Sequence, residues 1–142
     1  MISVREITGP GELELCRAIR RDVFIEEQNV SEAEEWDGRD SSARHLLAFD
    51  GGAPVGTARL RVVEDFGKIE RVCVRATARG TGAGRALMQA ALALLRTDPA
   101  LLGAKLGSQT HAIPFYEGLG FTAFGPVYDD AGIPHRDMKV LF

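Results

Sequence analysis

The sequence predicts an α+β fold with mixed connections, and three observations carry that prediction. Short apolar runs bounded by glycine, proline or aspartate recur as strand candidates. Two stretches place apolar residues at helical spacing, and a glycine-rich loop joins a strand to the second of them. The resulting order is β-α-(α)-β-β-β-α-β-α-β-β, for which propensity alone leaves several sheet topologies open.

Ile2, Val4 and Ile7 mark a first strand, which Gly9-Pro10-Gly11 ends. A helix follows with Leu13, Cys16, Ile19 and Val23 on its apolar face and Arg17, Arg20 and Arg21 on its polar face. From Glu26 to Asp40 the chain is acid-rich and reads as a loop with one short helix. Strands are predicted at Arg44 to Phe49, Val55 to Val63 and Lys68 to Val74, the first two joined through Asp50-Gly51-Gly52. The helix after the glycine loop, Arg85 to Arg96, places Leu87, Met88, Ala91, Leu92 and Leu95 on one side, and Asp98-Pro99 stops it. A strand at Ala104 to Ser108, a helix at Ala112 to Glu117, and strands near Phe121 to Phe124 and Arg136 to Phe142 complete the order.

With 142 residues, 45% hydrophobic and 26% charged, residues 1–142 fit a single domain around one core. A net charge of −3 and the lack of any Lys/Arg block leave no basic field for nucleic acid. The longest apolar run, Ala86 to Leu95 interrupted by Gln89, is shorter than the ~20 residues that span a bilayer, so no membrane partner is expected. Met1 to Glu6 has no signal-peptide organisation, and Cys16 and Cys73 fit a reducing cytoplasm better than a disulfide.

Arg79-Gly80-Thr81-Gly82-Ala83-Gly84 follows the apolar run Ile69 to Val74 and precedes the second helix. Its three glycines let the backbone turn with no Cβ in the way, so that N–H groups converge on an anion at the positive end of a helix dipole. The ligand is therefore expected to carry phosphate. A P-loop would need Gly-Lys-Ser/Thr, but Arg85-Ala86 follows Gly84. A dinucleotide fingerprint would need a third glycine where Arg85 or Leu87 stands. The remaining pattern, Arg-x-x-Gly-x-Gly across Arg79, Gly82 and Gly84, resembles the pyrophosphate loop of the GNAT acyl-CoA N-acetyltransferases.

A second stretch, Gln109-Thr110-His111-Ala112-Ile113-Pro114-Phe115-Tyr116 followed by Gly120-Phe121, resembles the other signature of that family, with Gln109 where the pattern usually has Asn. Arg21 to Gln28, then Glu35-Trp36-Asp37, Asp40 and His45, and the late Gly132-Ile133-Pro134-His135 with Met138, resemble the ElaA-like branch. The likeness spans nearly the whole chain. Arg21, Phe24 and Glu35-x-Asp37-x-x-Asp40 also resemble acyl-homoserine-lactone synthases, from which this chain departs by its shorter length and intact glycine loop.

The resemblance implies a GNAT-type fold with a central mixed, mostly antiparallel sheet flanked by helices. It also implies an acetyl-CoA-dependent N-acetyltransferase that acts on a small-molecule primary amine by direct attack in a ternary complex. Val72, Cys73 and Val74 would offer edge backbone to the pantetheine arm, and Arg79, Gly80, Thr81, Gly82, Ala83, Gly84 and Arg85 would hold the pyrophosphate. Gln109 would bond the cofactor's amides, and Tyr116 would protonate the departing thiolate. Glu70, beside the cofactor strand, is assigned the role of base, against the alternative that it pairs with Arg71 or another strand arginine; Glu26, Glu27, His45, His111 and His135 remain as other groups that could assist. The acceptor side is expected to include Glu26, Glu27 and His45, where negative potential would concentrate a cationic amine. Glu35, Asp37 and Asp40 lack calcium-loop spacing, and no metal is expected. Cys73 has no recognisable base and reads as a small buried hydrophobe. A non-catalytic acyl-CoA sensor and a protein N-acetyltransferase stay open as alternatives, as does assembly into a homodimer.

Overall fold

The computed structural model describes residues 1–142. The chain starts with β1 (Ile2–Glu6) and α1 (Pro10–Arg20), which opens with Pro10 in its first turn, where a missing N–H costs nothing. Thr8 donates to Glu12 through its N–H (2.8 Å) and hydroxyl (3.0 Å), fixing the entry of the helix. Beyond Arg20 the helix widens into a π-helical segment, Arg21–Glu27, where the N–H of Gln28 bonds the carbonyl of Val23. A short helix, α2 (Glu32–Glu35), is capped by Ser31. Then come β2 (Arg44–Asp50), β3 (Ala53–Val63), β4 (Phe66–Val74), α3 (Ala83–Leu95), β5 (Gly103–Gln109), α4 (Ile113–Glu117), β6 (Thr122–Asp130) and β7 (Ile133–Leu141).

The seven strands form one sheet in the order β1-β2-β3-β4-β5-β7-β6. All neighbours are antiparallel except β4 and β5. The mixed, mostly antiparallel sheet flanked by helices is the expected fold class. β6 and β7 run longer than expected. The strand expected near Phe121 to Phe124 continues through Gly125-Pro126 as β6, with a register shift between Phe124 and Tyr128. No helix is long and apolar enough to cross a membrane.

Strand alternation assigns the two faces. Leu46, Ala48, Ala58, Leu60 and Ile69 point to α3 and pack with Leu87, Met88, Ala91, Leu92 and Leu95. Leu47 and Cys73 point the other way and pack with Cys16, Ile19 and Val23 of α1 and its extension. Both cysteines are free and buried, and desolvation pushes both thiols up.

The face toward α1 also holds charge. Arg59, alternating with Ala58 and Leu60, is fully buried there, and Arg20 of α1 is 1% exposed. Arg20 bonds Glu35 through Nε (2.7 Å) and Asp40 through Nη1 (2.8 Å). Arg59 bonds Asp37 through both terminal nitrogens (2.8 and 2.7 Å), Asp40 through Nη1 (2.9 Å), and Glu70. Part of the acid-rich segment is thus not a solvated face: Glu26, Glu27, Glu32 and Glu34 are exposed, whereas Glu35 and Asp40 are buried and Asp37 turns its carboxylate inward. These inward carboxylates close over α1 and β3 as partners for buried arginines, and Arg20, read as part of a polar helix face, is inside. No group of His, Cys, Asp and Glu side chains is placed to hold a metal ion.

Candidate active site

β4 and β5 pair only over Phe66–Lys68 and Gly103–Lys105. Arg71 has a positive φ of 54°, where β4 carries an extra residue against β3 and the register shifts between Thr57 and Arg59. Such a bulge twists and re-aims the strand that carries it. Beyond Lys68, β4 has no strand partner on its β5 side, and a cleft of about 750 Å³ opens between the two strands. Val72, Cys73, Val74, Gln109 and Tyr116 line it, as do Glu27, Glu70 and Arg79. Val72 and Val74 also pack partly against the core, so one segment supplies core side chains and an open backbone edge.

At one end of the cleft stands the glycine loop. Gly80 and Gly82 have φ of 80° and 89°, which L residues adopt only under strain. Gly84 lies in the first turn of α3, where an added Cβ would meet only ordinary contacts, so its role is not backbone freedom. From Gly80 to Arg85 no backbone N–H donates to an acceptor within the protein; the first bond of the helix is from Ala86 to Gly82. Consecutive unpaired donors at the N-terminus of a helix of 13 residues form an anion cradle.

Arg79 is already engaged. Its terminal nitrogens donate to the two carboxylate oxygens of Glu27 at 2.6 and 2.7 Å, and its Nε donates to the carbonyl of Val74 (3.2 Å). The pair ties the π-helical segment to the glycine loop, and Arg79 holds the Glu27 carboxyl below its ordinary range. Glu27 therefore lies on the cofactor side of the cleft, bound to an arginine, and not free beside an acceptor. Glu26 is exposed and does not line the cleft.

Glu70 reaches the cleft, but Arg59 holds Oε2 and Arg61 donates to Oε1 at 2.5 Å. Burial pushes its carboxyl up, and the two guanidiniums outweigh that and bring it below the ordinary value. A carboxylate held in this way is a weak base, and the geometry matches the alternative reading of Glu70 as an arginine partner. His45 is not at the cleft. It is buried beneath the acidic segment, its Nε2 donates to the carbonyl of Asp40 (2.9 Å), and burial lowers its proton affinity. An isolated histidine in sequence gives no sign of which side of the sheet it faces.

Tyr116 projects from α4, its ring edge-on to Phe115 and Phe121. Its hydroxyl has no partner in the protein and is not sealed from the cleft. Burial, and then the nearby Cys73, push the phenol up to about 12, so the proton stays on oxygen across the neutral range. Gln109, at the end of β5, donates to Gln28 (2.9 Å) and accepts from His111 (2.8 Å). Sequence reasoning gave no role to Gln28, which it read only as the end of the Arg21 to Gln28 stretch, or to Tyr128, which no motif marks.

A glycine cradle at the head of α3, a cleft between parting parallel strands and a phenol aimed into it define an acyltransferase of mixed α/β architecture. The description "Acetyltransferase (GNAT) domain" matches residues 13–142, and the chain belongs to that family. It is similar to YjcF of Bacillus subtilis, named an uncharacterized N-acetyltransferase, with 39% identity over 121 residues that cover 84% of this chain and 86% of that protein. The crystal structure of Escherichia coli ElaA superposes with a TM-score of 0.86 at 28% identity, covering 98% of this chain and 99% of that one. An acyl-CoA N-acyltransferase from Pseudomonas aeruginosa superposes with a TM-score of 0.84 at 29% identity, covering 98% and 97%. These likenesses place the chain in the ElaA-like branch, and the family's fold implies an acyl-CoA donor.

Proposed function

We propose that the protein transfers an acetyl group from acetyl-CoA to a primary amine of a small molecule, by direct attack while both substrates occupy the cleft. The observation that carries this reading is the run of unpaired N–H groups from Gly80 to Arg85 beside the open edge of β4. The residues present fit the group: the cradle takes the pyrophosphate, Arg79 adds charge, and Val72 to Val74 offer backbone to the pantetheine arm. Acetyl-CoA supplies the activated acyl group. Around it the backbone of β4 polarises the carbonyl oxygen, and Tyr116 holds the proton that the departing sulfur requires.

Thiol release from acetyl-CoA, measured against a panel of aliphatic and aromatic primary amines, tests the reading. Amine-dependent release is expected, and none above hydrolysis across the panel would favour the sensor alternative. Calorimetry on Gly82→Val tests the cradle. A β-branched residue at that φ costs ~1–3 kcal/mol. If the valine loop relaxes to escape the strain, CoA affinity falls by about 5- to 150-fold, and equal affinity in the two proteins would remove the phosphate from this loop.

Glu27 gives a result of opposite sign. The pyrophosphate competes with its carboxylate for Arg79, so Glu27→Gln should strengthen CoA binding. The gain is limited to the ~0.2–1 kcal/mol of an exposed ion pair, up to about fivefold in Kd. Weaker binding in the same titration would show instead that the pair shapes the loop.

A further inference from the structure

At the far side of the cleft, β5, β7 and β6 present Gly107, Gln109, His135, Asp137 and Tyr128 on one face. Gln109 and Tyr128 flank His135 in register, and Asp137 lies opposite Gly107. Gly107 leaves the space that this arrangement uses. A Cβ on it would stand 2.4 Å from the Tyr128 hydroxyl and push it aside, so the glycine lets the tyrosine cross β7 and lie over β5 as it does. The hydroxyl donates to Asp137 Oδ1 (2.8 Å), and the ring stacks on His135 at 5.9 Å with planes 26° apart.

The second contact of His135 fixes its chemistry. Its Nδ1 lies 2.7 Å from the carbonyl oxygen of Ile133, which can only accept, so Nδ1 carries a hydrogen and, in the neutral ring, the lone pair is on Nε2. That Nε2 has no partner in the protein and is not buried away from the cleft. The other candidates are engaged: Glu70 by two arginines, Glu27 by Arg79, and His45 outside the cleft. His111 reaches the cleft rim on an exposed turn and bonds Gln109 through its Nε2.

We infer that His135 is the general base of the transfer, taking a proton from the acceptor's ammonium at Nε2 while Tyr128, anchored by Asp137, stacks on its ring. This rests on the reading of the protein as an amine acetyltransferase. The ammonium gives one proton to Nε2, and the freed lone pair forms the C–N bond as the C–S bond breaks. Sulfur takes the proton of Tyr116. The acylated nitrogen sheds its second proton, which restores Tyr116 through solvent, and His135 returns its own to solvent. The sum is one amide, one thiol and one released proton. The charged and titratable groups that line the cleft with the imidazole are Tyr128 and Asp130 of β6, Asp137 of β7, Lys105 of β5, His111 and Tyr116 on its own side, and Glu64, Lys68, Glu70, Arg71, Cys73, Arg79, Glu27, Glu34 and Glu35 around the rest of the opening.

Two measurements test it. Nitrogen-15 NMR of the histidines in the wild-type protein should show His135 with hydrogen on Nδ1 and a bare Nε2; hydrogen on Nε2 would overturn the assignment whether or not any amine reacts. With each amine of the panel that the wild type acetylates, His135→Gln should lower kcat/KM for the amine by about 10²-fold well below the amine's own pKa. The deficit should shrink as pH approaches that pKa, because a free-base amine no longer needs the imidazole. CoA affinity should not change. A deficit independent of pH would reduce His135 to a structural part of the cleft wall, whereas a panel with no reacting amine would count against the proposed reaction and leave the NMR result to judge the imidazole.

Discussion

Replacing Arg59 by Met is expected to lower the unfolding free energy by about 3–5 kcal/mol, because it leaves Asp37, Glu70 and Asp40 facing one another around an uncharged side chain. Burial works against the Arg59 charge, and Asp37, Glu70 and Asp40 more than offset it. Urea unfolding followed by fluorescence and circular dichroism checks the value. A loss below ~1 kcal/mol would place the network among ion pairs of little weight. Arg59→Lys should recover only part of the loss, since an ammonium cannot bridge three carboxylates as a guanidinium does.

The network also sets the acid limit of the fold. Asp40 is pushed up by burial and pulled down further by Arg20 and Arg17, to about 2, while Asp37 and Glu70 also lie below the ordinary carboxylate range. Such groups bind fewer protons folded than unfolded, so their stabilisation is complete above about pH 4–5 and is lost as pH falls through the folded values. Glu35 runs the other way, since burial raises it despite Arg71 and Arg20. The urea midpoint of the wild type should therefore drop between about pH 4.5 and 2, and Arg59→Met should flatten that slope.

Tyr116→Phe is expected to slow chemistry by about 10²-fold or more while CoA affinity survives, because it keeps the ring packed on Phe121 and removes only the proton donor. Single-turnover thiol release is the proper readout, since slow product release can hide a chemical defect in steady-state turnover. Wild-type single-turnover rates in the variant would rule the acid role out. A joint loss of turnover and CoA binding would show that the hydroxyl supports the cofactor site.

The gap between β4 and β5 explains why these groups meet. Gln109 ends β5 and Tyr116 follows it, the glycine loop follows β4, and the strands part after a few paired residues. Glu27 and Arg79 stand 52 positions apart in the chain and meet across the same cleft.

By itself the sequence determined the family, the cofactor loop and the element order. Each of these is written in local signals: glycines at fixed spacing, Gln109 to Phe121 in register, and the apolar side of α3 at helical period. The tertiary structure alone decided what each charge does. Glu35, Asp37 and Asp40 resemble solvated acids until β3 turns Arg59 toward α1, and Arg20 resembles a surface residue until α2 closes over it. Glu70 and His45 lose their expected roles for the same reason. The protonation and reach of a titratable group depend on partners brought from distant segments, and a pattern of neighbours along the chain does not record which face of the sheet those partners share.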